Sequence, residues 1–185
     1  MEPQVIKECE MKMKKTIAAL EKELGKVRTG RASLALLDDI RVNYYGTPSP
    51  LNQVATLSVP ESRLIVIQPW DNSIIGEIEK AILKSELGMT PANDGKVIRI
   101  TIPRLTEERR KELVKLVKKM GEASKVGVRN IRRDVIEELR TMEKSKAISE
   151  DDLHHLQNQV QKTTDIFIEN IDKVIEAKEK EIMEI

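Results

Sequence analysis

Three long stretches of this chain repeat apolar residues at steps of three and four, and none of them can bury its stripe alone. The first runs Ile6, Cys9, Met13, Ile17, Leu20, Leu24 and Val27 and reads as a helix over residues 3–28. Pro3 sits in its first turn, where a missing N–H costs nothing, and Thr29-Gly30 ends it. The second fills residues 105–146. Thr106 is its candidate N-cap, and Glu107 and Glu108 suit the positive end of the helix dipole. At about 1.5 Å per residue this helix is a rod of about 55–60 Å. Gly121 and Gly127 weaken it slightly and mark places where neighbours come close. The third begins at Ser149-Glu150-Asp151-Asp152, a capping box in spacing with Asp for the usual Glu. It continues through Leu153, Leu156, Val160, Thr164, Phe167, Ile171 and Val174. Stripes of this length demand mutual burial, so the expected solution is a three-helix bundle.

Between the first and second stripes the pattern changes. Ile40, Val42 and Tyr44 alternate as a half-buried strand does, and 45–50 reads as a turn or loop. Val54–Val59 and Leu64–Ile67 read as strands joined by Pro60-Glu61-Ser62, and Ser73–Leu87 as a short helix. Asp94-Gly95 is a turn signal before a strand at Val97–Ile102. The fold class is therefore α+β: residues 1–30 and 105–185 form a discontinuous three-helix bundle, and 31–104 form an inserted small α+β domain. Two short crossings join them, Thr29, Gly30 and Arg31 on one side and Pro103, Arg104 and Leu105 on the other. They are the expected hinge.

The net charge of +1 hides an asymmetry. Residues 105–146 carry 13 basic and 8 acidic side chains, whereas 147–185 carry 4 and 10. On the second helix Lys118, Lys125, Arg129, Arg132, Arg133 and Arg140 fall within an arc of about 100°. The apolar residues Leu113, Val117, Met120, Ile131, Val135 and Met142 lie about 130–150° away. One face packs and another presents cations. Charge on the outer face of a helix is ordinarily just solvated. Here it is arginine-rich and nearly single-signed, and a planar guanidinium suits phosphate. Four aromatics, Tyr44, Tyr45, Trp70 and Phe167, give no base-stacking platform. A nucleic-acid partner would be recognised through backbone and shape, as for structured RNA.

Other chemistries find little support. Asp94-Gly95-Lys96-Val97 lacks the first glycine and the hydroxyl of a phosphate-binding loop. His154 and His155 are adjacent, so on a helix they diverge by about 100° and cannot share a metal. Asp38-Asp39 and Asp151-Asp152 sit at element ends, where carboxylates serve caps and dipoles. Cys9, the only cysteine, is spaced as a core thiol and fits a reducing compartment. Neither a signal peptide nor an apolar run of about 20 residues is found. The expectation is a cytoplasmic, monomeric protein that is not an enzyme and holds no metal or cofactor.

Five motifs carry a resemblance. Arg28-Thr29-Gly30-Arg31-Ala32-Ser33, Tyr44-Tyr45-Gly46-Thr47-Pro48, Leu105-Thr106-Glu107-Glu108-Arg109-Arg110-Lys111, Val128-Arg129-Asn130-Ile131-Arg132-Arg133-Asp134 and Ile148-Ser149-Glu150-Asp151-Asp152 together resemble bacterial ribosome recycling factor, over essentially the whole chain. The resemblance implies an L-shaped molecule that mimics a tRNA and binds the ribosome after termination. With elongation factor G and GTP, members of that family split the subunits and free mRNA and deacylated tRNA. It implies that Arg129, Arg132 and Arg133 lie on a helix contacting large-subunit rRNA and that Arg28 and Arg31 are the matching arginines at the hinge; with Lys118, Lys125 and Arg140 these form the expected rRNA-binding set. GTP belongs to the partner factor. The competing reading is a helical adaptor that binds acidic proteins through the same stripe.

Overall fold

The helical stripes become helices because each apolar step meets a partner. A computed structural model describes residues 4–184; Pro3 lies outside the described residues. Helix α1 spans Gln4–Gly25 and buries Ile6, Cys9, Met13, Leu20 and Leu24. Its end falls three residues short of the expected 28, because the chain beyond Gly25 bonds elsewhere. Lys26 pairs with Asp39 at 3.0 Å, and Arg28 donates to the Glu86 carbonyl at 3.0 Å. Gly30 has φ +80° but stands five residues past the helix, so it is a turn glycine and not a helix cap.

Six strands and one further helix follow. The strands are β1 Arg41–Tyr44, β2 Thr47–Pro50, β3 Ala55–Glu61, β4 Leu64–Pro69, β5 Pro91–Asn93 and β6 Ile98–Thr101, with helix α2 at Ile75–Lys84 before β5. The long helices α3 Glu107–Lys144 and α4 Glu150–Met183 complete the chain. Strands β3-β4-β6-β5 form an antiparallel sheet in that order, and β1-β2 is a separate hairpin.

The hairpin corrects the expectation of a loop over 45–50. Only Tyr45 and Gly46 turn, both at positive φ, and Thr47–Pro50 pairs with β1. Pro48 and Pro50 are tolerated because β2 has a single neighbour. The expected turn at Pro60-Glu61-Ser62 moves to Ser62-Arg63, since β3 continues through a register shift between Ser58 and Glu61. Strand β5 and a short 3-10 turn at Leu34–Leu37 have no counterpart in the sequence reading.

By spatial contacts the chain divides into two units. One holds the residues up to Leu24 and those from Lys111; the other is Gly25–Arg110. Each boundary sits about six residues outside the expected 30/31 and 104/105. In the first unit α3 and α4 run antiparallel, joined at a turn through Lys146, which has φ +61°. Ser149 caps α4 and closes a reciprocal box with Asp152, as expected. Thr106 caps α3 through its hydroxyl, which accepts from the Arg109 N–H at 3.2 Å. In the second unit Val42, Ile65, Ile67, Ile78, Ile82, Ile98 and Ile100 are fully buried between sheet, hairpin and α2. Both crossings are tied to the same turn of that unit: Ala32 N–H donates to the Ser62 carbonyl at 2.7 Å and Ile102 N–H to Arg63 at 2.8 Å.

Candidate nucleic-acid interface

Position on the α3 wheel decides what each cation does. Leu113, Val117, Gly121, Val128, Val135 and Leu139 are buried, while the expected core residues Met120, Ile131 and Met142 are only half-buried. This turns the packed face toward Arg132, Lys125 and Lys118, which therefore flank the seam with α4. Lys125 is 16% exposed at its side chain and bonds Asp172 at 2.5 Å and Glu122 at 3.1 Å. Its pKa is raised, first through the bond to Asp172. Lys118 reaches Glu179 at 3.9 Å. Of these two cations, both expected to bind rRNA, Lys125 has its charge largely answered within the chain, whereas Lys118 stays 62% exposed beside Glu179.

Arg132 stands between the two roles. Its Nη1 donates to Gln161 Oε1 at 2.7 Å, and Gln161 Nε2 donates to Asp165 Oδ1 at 2.8 Å. Its Nε is buried with no acceptor among the described residues.

Arg129, Arg133 and Arg140 face outward. Arg129 and Arg140 make no hydrogen bond or ion pair among the described residues, and Arg133 is 72% exposed with only a 3.9 Å approach to its neighbour Asp134. With Asn130, Arg132, Ile136, Glu137, Thr141 and Lys144 they line an open concavity of about 670 Å³ along the last turns of α3. Four arginines and a lysine against one carboxylate make a site for an extended anion. Lys144 and Asn130 were not among the expected site residues, although Lys144, one turn past Arg140, falls within about 40° of Arg133 and Arg140 on the wheel.

The residues expected to form the hinge all fall in the second unit. Thr29 is buried, Gly30 approaches the Leu105 side chain at 3.5 Å from its would-be Cβ, and Arg104 and Pro103 are exposed. Arg28 is bound to the Glu86 carbonyl, and Arg31 is exposed but partnered. Neither is part of the α3 concavity. The exposed aromatics Tyr44, Tyr45 and Trp70 are also in the second unit; Tyr45 Oη donates to Asp71 and Trp70 Nε1 to Thr56, each at 2.8 Å. Among the described residues no group of three or more His, Cys, Asp or Glu side chains could hold a metal.

Fold and site define a class: a two-unit α+β factor that presents cations from the outer face of a long helix. The family model of ribosome recycling factor matches residues 20–183. The ribosome-recycling factor of Syntrophus aciditrophicus is 61% identical over the full length of both chains, and that of Oleidesulfovibrio alaskensis is 58% identical over 98% of each. A solution structure of a ribosome recycling factor superposes with a TM-score of 0.79 at 47% identity, covering 98% of this chain and 96% of its own. A model of the T. thermophilus ribosome recycling factor, bound with E. coli elongation factor G to the E. coli post-termination complex, gives 0.68 at 44% identity over 97% of each chain. The chain belongs to the ribosome recycling factor family, a family of translation factors and not of enzymes.

Proposed function

We propose that this chain recycles ribosomes after termination, binding the post-termination ribosome and, with elongation factor G and GTP, splitting the subunits to release mRNA and deacylated tRNA. The single observation that carries the binding role is the outward cluster Arg129, Arg133, Arg140 and Lys144, with Arg132 at its inner edge, around one concavity on α3. Its cations outnumber the one carboxylate in the concavity, Glu137, and its ligand is the phosphate backbone of large-subunit rRNA. Lys118 and Lys125 support the helix that carries it. Arg28 and Arg31, with Thr29, Gly30, Pro103, Arg104 and Leu105, serve the joint on which the partner factor acts. The protein works as a monomer in the cytoplasm, where translating ribosomes are; no described helix is long and apolar enough to cross a membrane.

The test is subunit splitting followed by light scattering, with elongation factor G and GTP. Arg129→Ala with Arg133→Ala is expected to weaken binding to purified large subunits and to slow splitting at subsaturating protein. Undiminished binding to large subunits, with binding to an acidic protein lost instead, would favour the adaptor reading.

A further inference from the structure

The seam between α3 and α4 repeats with a common step. Lys118 meets Glu179 and Lys125 meets Asp172, so the partners move seven residues in opposite directions, as antiparallel helices require. One more step sets Arg132 opposite Asp165. The ion pair is not made there. Gln161, one turn before Asp165, takes the Arg132 Nη1 proton on its Oε1 at 2.7 Å and donates its own Nε2–H to Asp165 at 2.8 Å. Chemistry admits only this amide orientation. A guanidinium can only donate and an ionised carboxylate can only accept, so the oxygen must face Arg132 and the nitrogen Asp165.

The substitution of an amide for a carboxylate changes what the arginine can do. At Lys125 a carboxylate touches the cation and answers its charge. At Arg132 an uncharged acceptor holds Nη1 in place, Nε is buried without an acceptor among the described residues, and no carboxylate touches the guanidinium there. An outside phosphate is then met only at the Nη end of the guanidinium, whose charge no carboxylate has taken up. We propose that Gln161 is a positioning residue of the α3 site, an uncharged acceptor contributed by α4 that orients Arg132 while leaving its full charge for a phosphate. The inference rests on the reading of the α3 concavity as the rRNA-binding face.

Three variants separate the two ideas, each measured for affinity to purified large ribosomal subunits across a salt series and for thermal unfolding. Arg132→Ala is expected to weaken binding about tenfold or more. Gln161→Glu places a carboxylate against Arg132. It is expected to weaken binding about tenfold and to flatten the log–log salt slope by about 0.7–0.9, one phosphate contact, with little change in unfolding temperature. Gln161→Ala keeps the charge but frees the side chain, so binding falls only about two- to threefold and the slope stays. If Gln161→Glu binds as the wild type while Arg132→Ala does not, the positioning role is overturned. If Gln161→Glu and Gln161→Ala match in affinity and slope, the charge-sparing role is overturned. If Arg132→Ala binds as the wild type, the reading of the concavity itself falls.

Discussion

Gly121 leaves no room for a side chain. A Cβ there would stand 2.6 Å from Ile175 Cγ1, on a buried residue of the facing helix, whereas at Gly127 the nearest atom is Thr16 Cγ2 at an ordinary 3.5 Å. The same substitution therefore has opposite signs at two glycines six residues apart. Gly121→Ala is expected to destabilise by about 1–2 kcal/mol, overpacking outweighing the better helix former. Gly127→Ala is expected to stabilise by about 0.5–1 kcal/mol. Urea unfolding followed by helical circular dichroism reads both, and equal signs would show that Ile175 moves aside freely. Asp94 makes a second argument at this scale. The backbone N–H of Val97, the Arg99 guanidinium and the Lys96 N–H all bond its carboxylate, which holds its pKa well below the ordinary carboxylate range. A depressed folded-state pKa stabilises the fold above the unfolded value near 4 and loses that contribution as pH falls toward the folded value. Asp94→Ala should therefore lower the stability of the second unit at pH 7 and converge with the wild type in acid. A gap that stayed constant down to pH 2 would show that the carboxylate's charge is not what matters.

The seam between α3 and α4 separates cations that hold the fold from cations that face outward. Lys125→Met keeps the stem and removes the ion pairs with Asp172 and Glu122. It is expected to cost the bundle up to about 1 kcal/mol and to leave ribosome affinity within about twofold. Arg129→Ala should do the reverse, with unchanged unfolding and weaker binding. A large loss of affinity in the Lys125 variant would return that residue to the rRNA-facing set. At the head of α4 the box between Ser149 and Asp152 satisfies donors that the turn would otherwise leave open. Ser149→Ala should lower stability by about 1 kcal/mol, seen as a lower urea midpoint with an unchanged slope.

For the whole molecule the outward cations predict a steep salt dependence. Each phosphate neutralised adds about −0.7 to −0.9 to the log–log slope, so several contacts from one face give a slope of several units. A nearly flat dependence would point to apolar docking in place of phosphate binding. The two crossings make the other prediction. Ala32 and Ile102 are pinned to the turn between β3 and β4, and Gly30, two residues before Ala32, lies against Leu105. Gly30→Ala must hold φ near +80°, a strain of about 1 kcal/mol. Binding through α3 should persist while splitting with elongation factor G and GTP slows. Loss of both together would assign Gly30 to folding alone.

Periodicity by itself determined the three long helices, their caps at Thr106 and Ser149 and the insertion between the first two, because steps of three and four and a side chain three residues from a backbone N–H are local facts. It also determined that cations share one arc of α3. The five motifs, by resemblance and not by periodicity, pointed to the family. Tertiary packing decided the rest. The strand at 47–50 was hidden because its prolines read as a breaker until β1 supplies a single paired edge. The core of α3 shifted toward Val128 and Leu139 because α1 and α4, not the wheel alone, choose which side is buried. That rotation set Lys118 and Lys125 beside carboxylates of α4 and left Arg129, Arg133 and Arg140 facing outward. Steps of seven from Lys118 to Arg132, mirrored from Glu179 to Asp165, were visible in the residues. Their meaning required an antiparallel register, and the amide at Gln161 that interrupts the pairing acquires its role only when the two helices lie side by side.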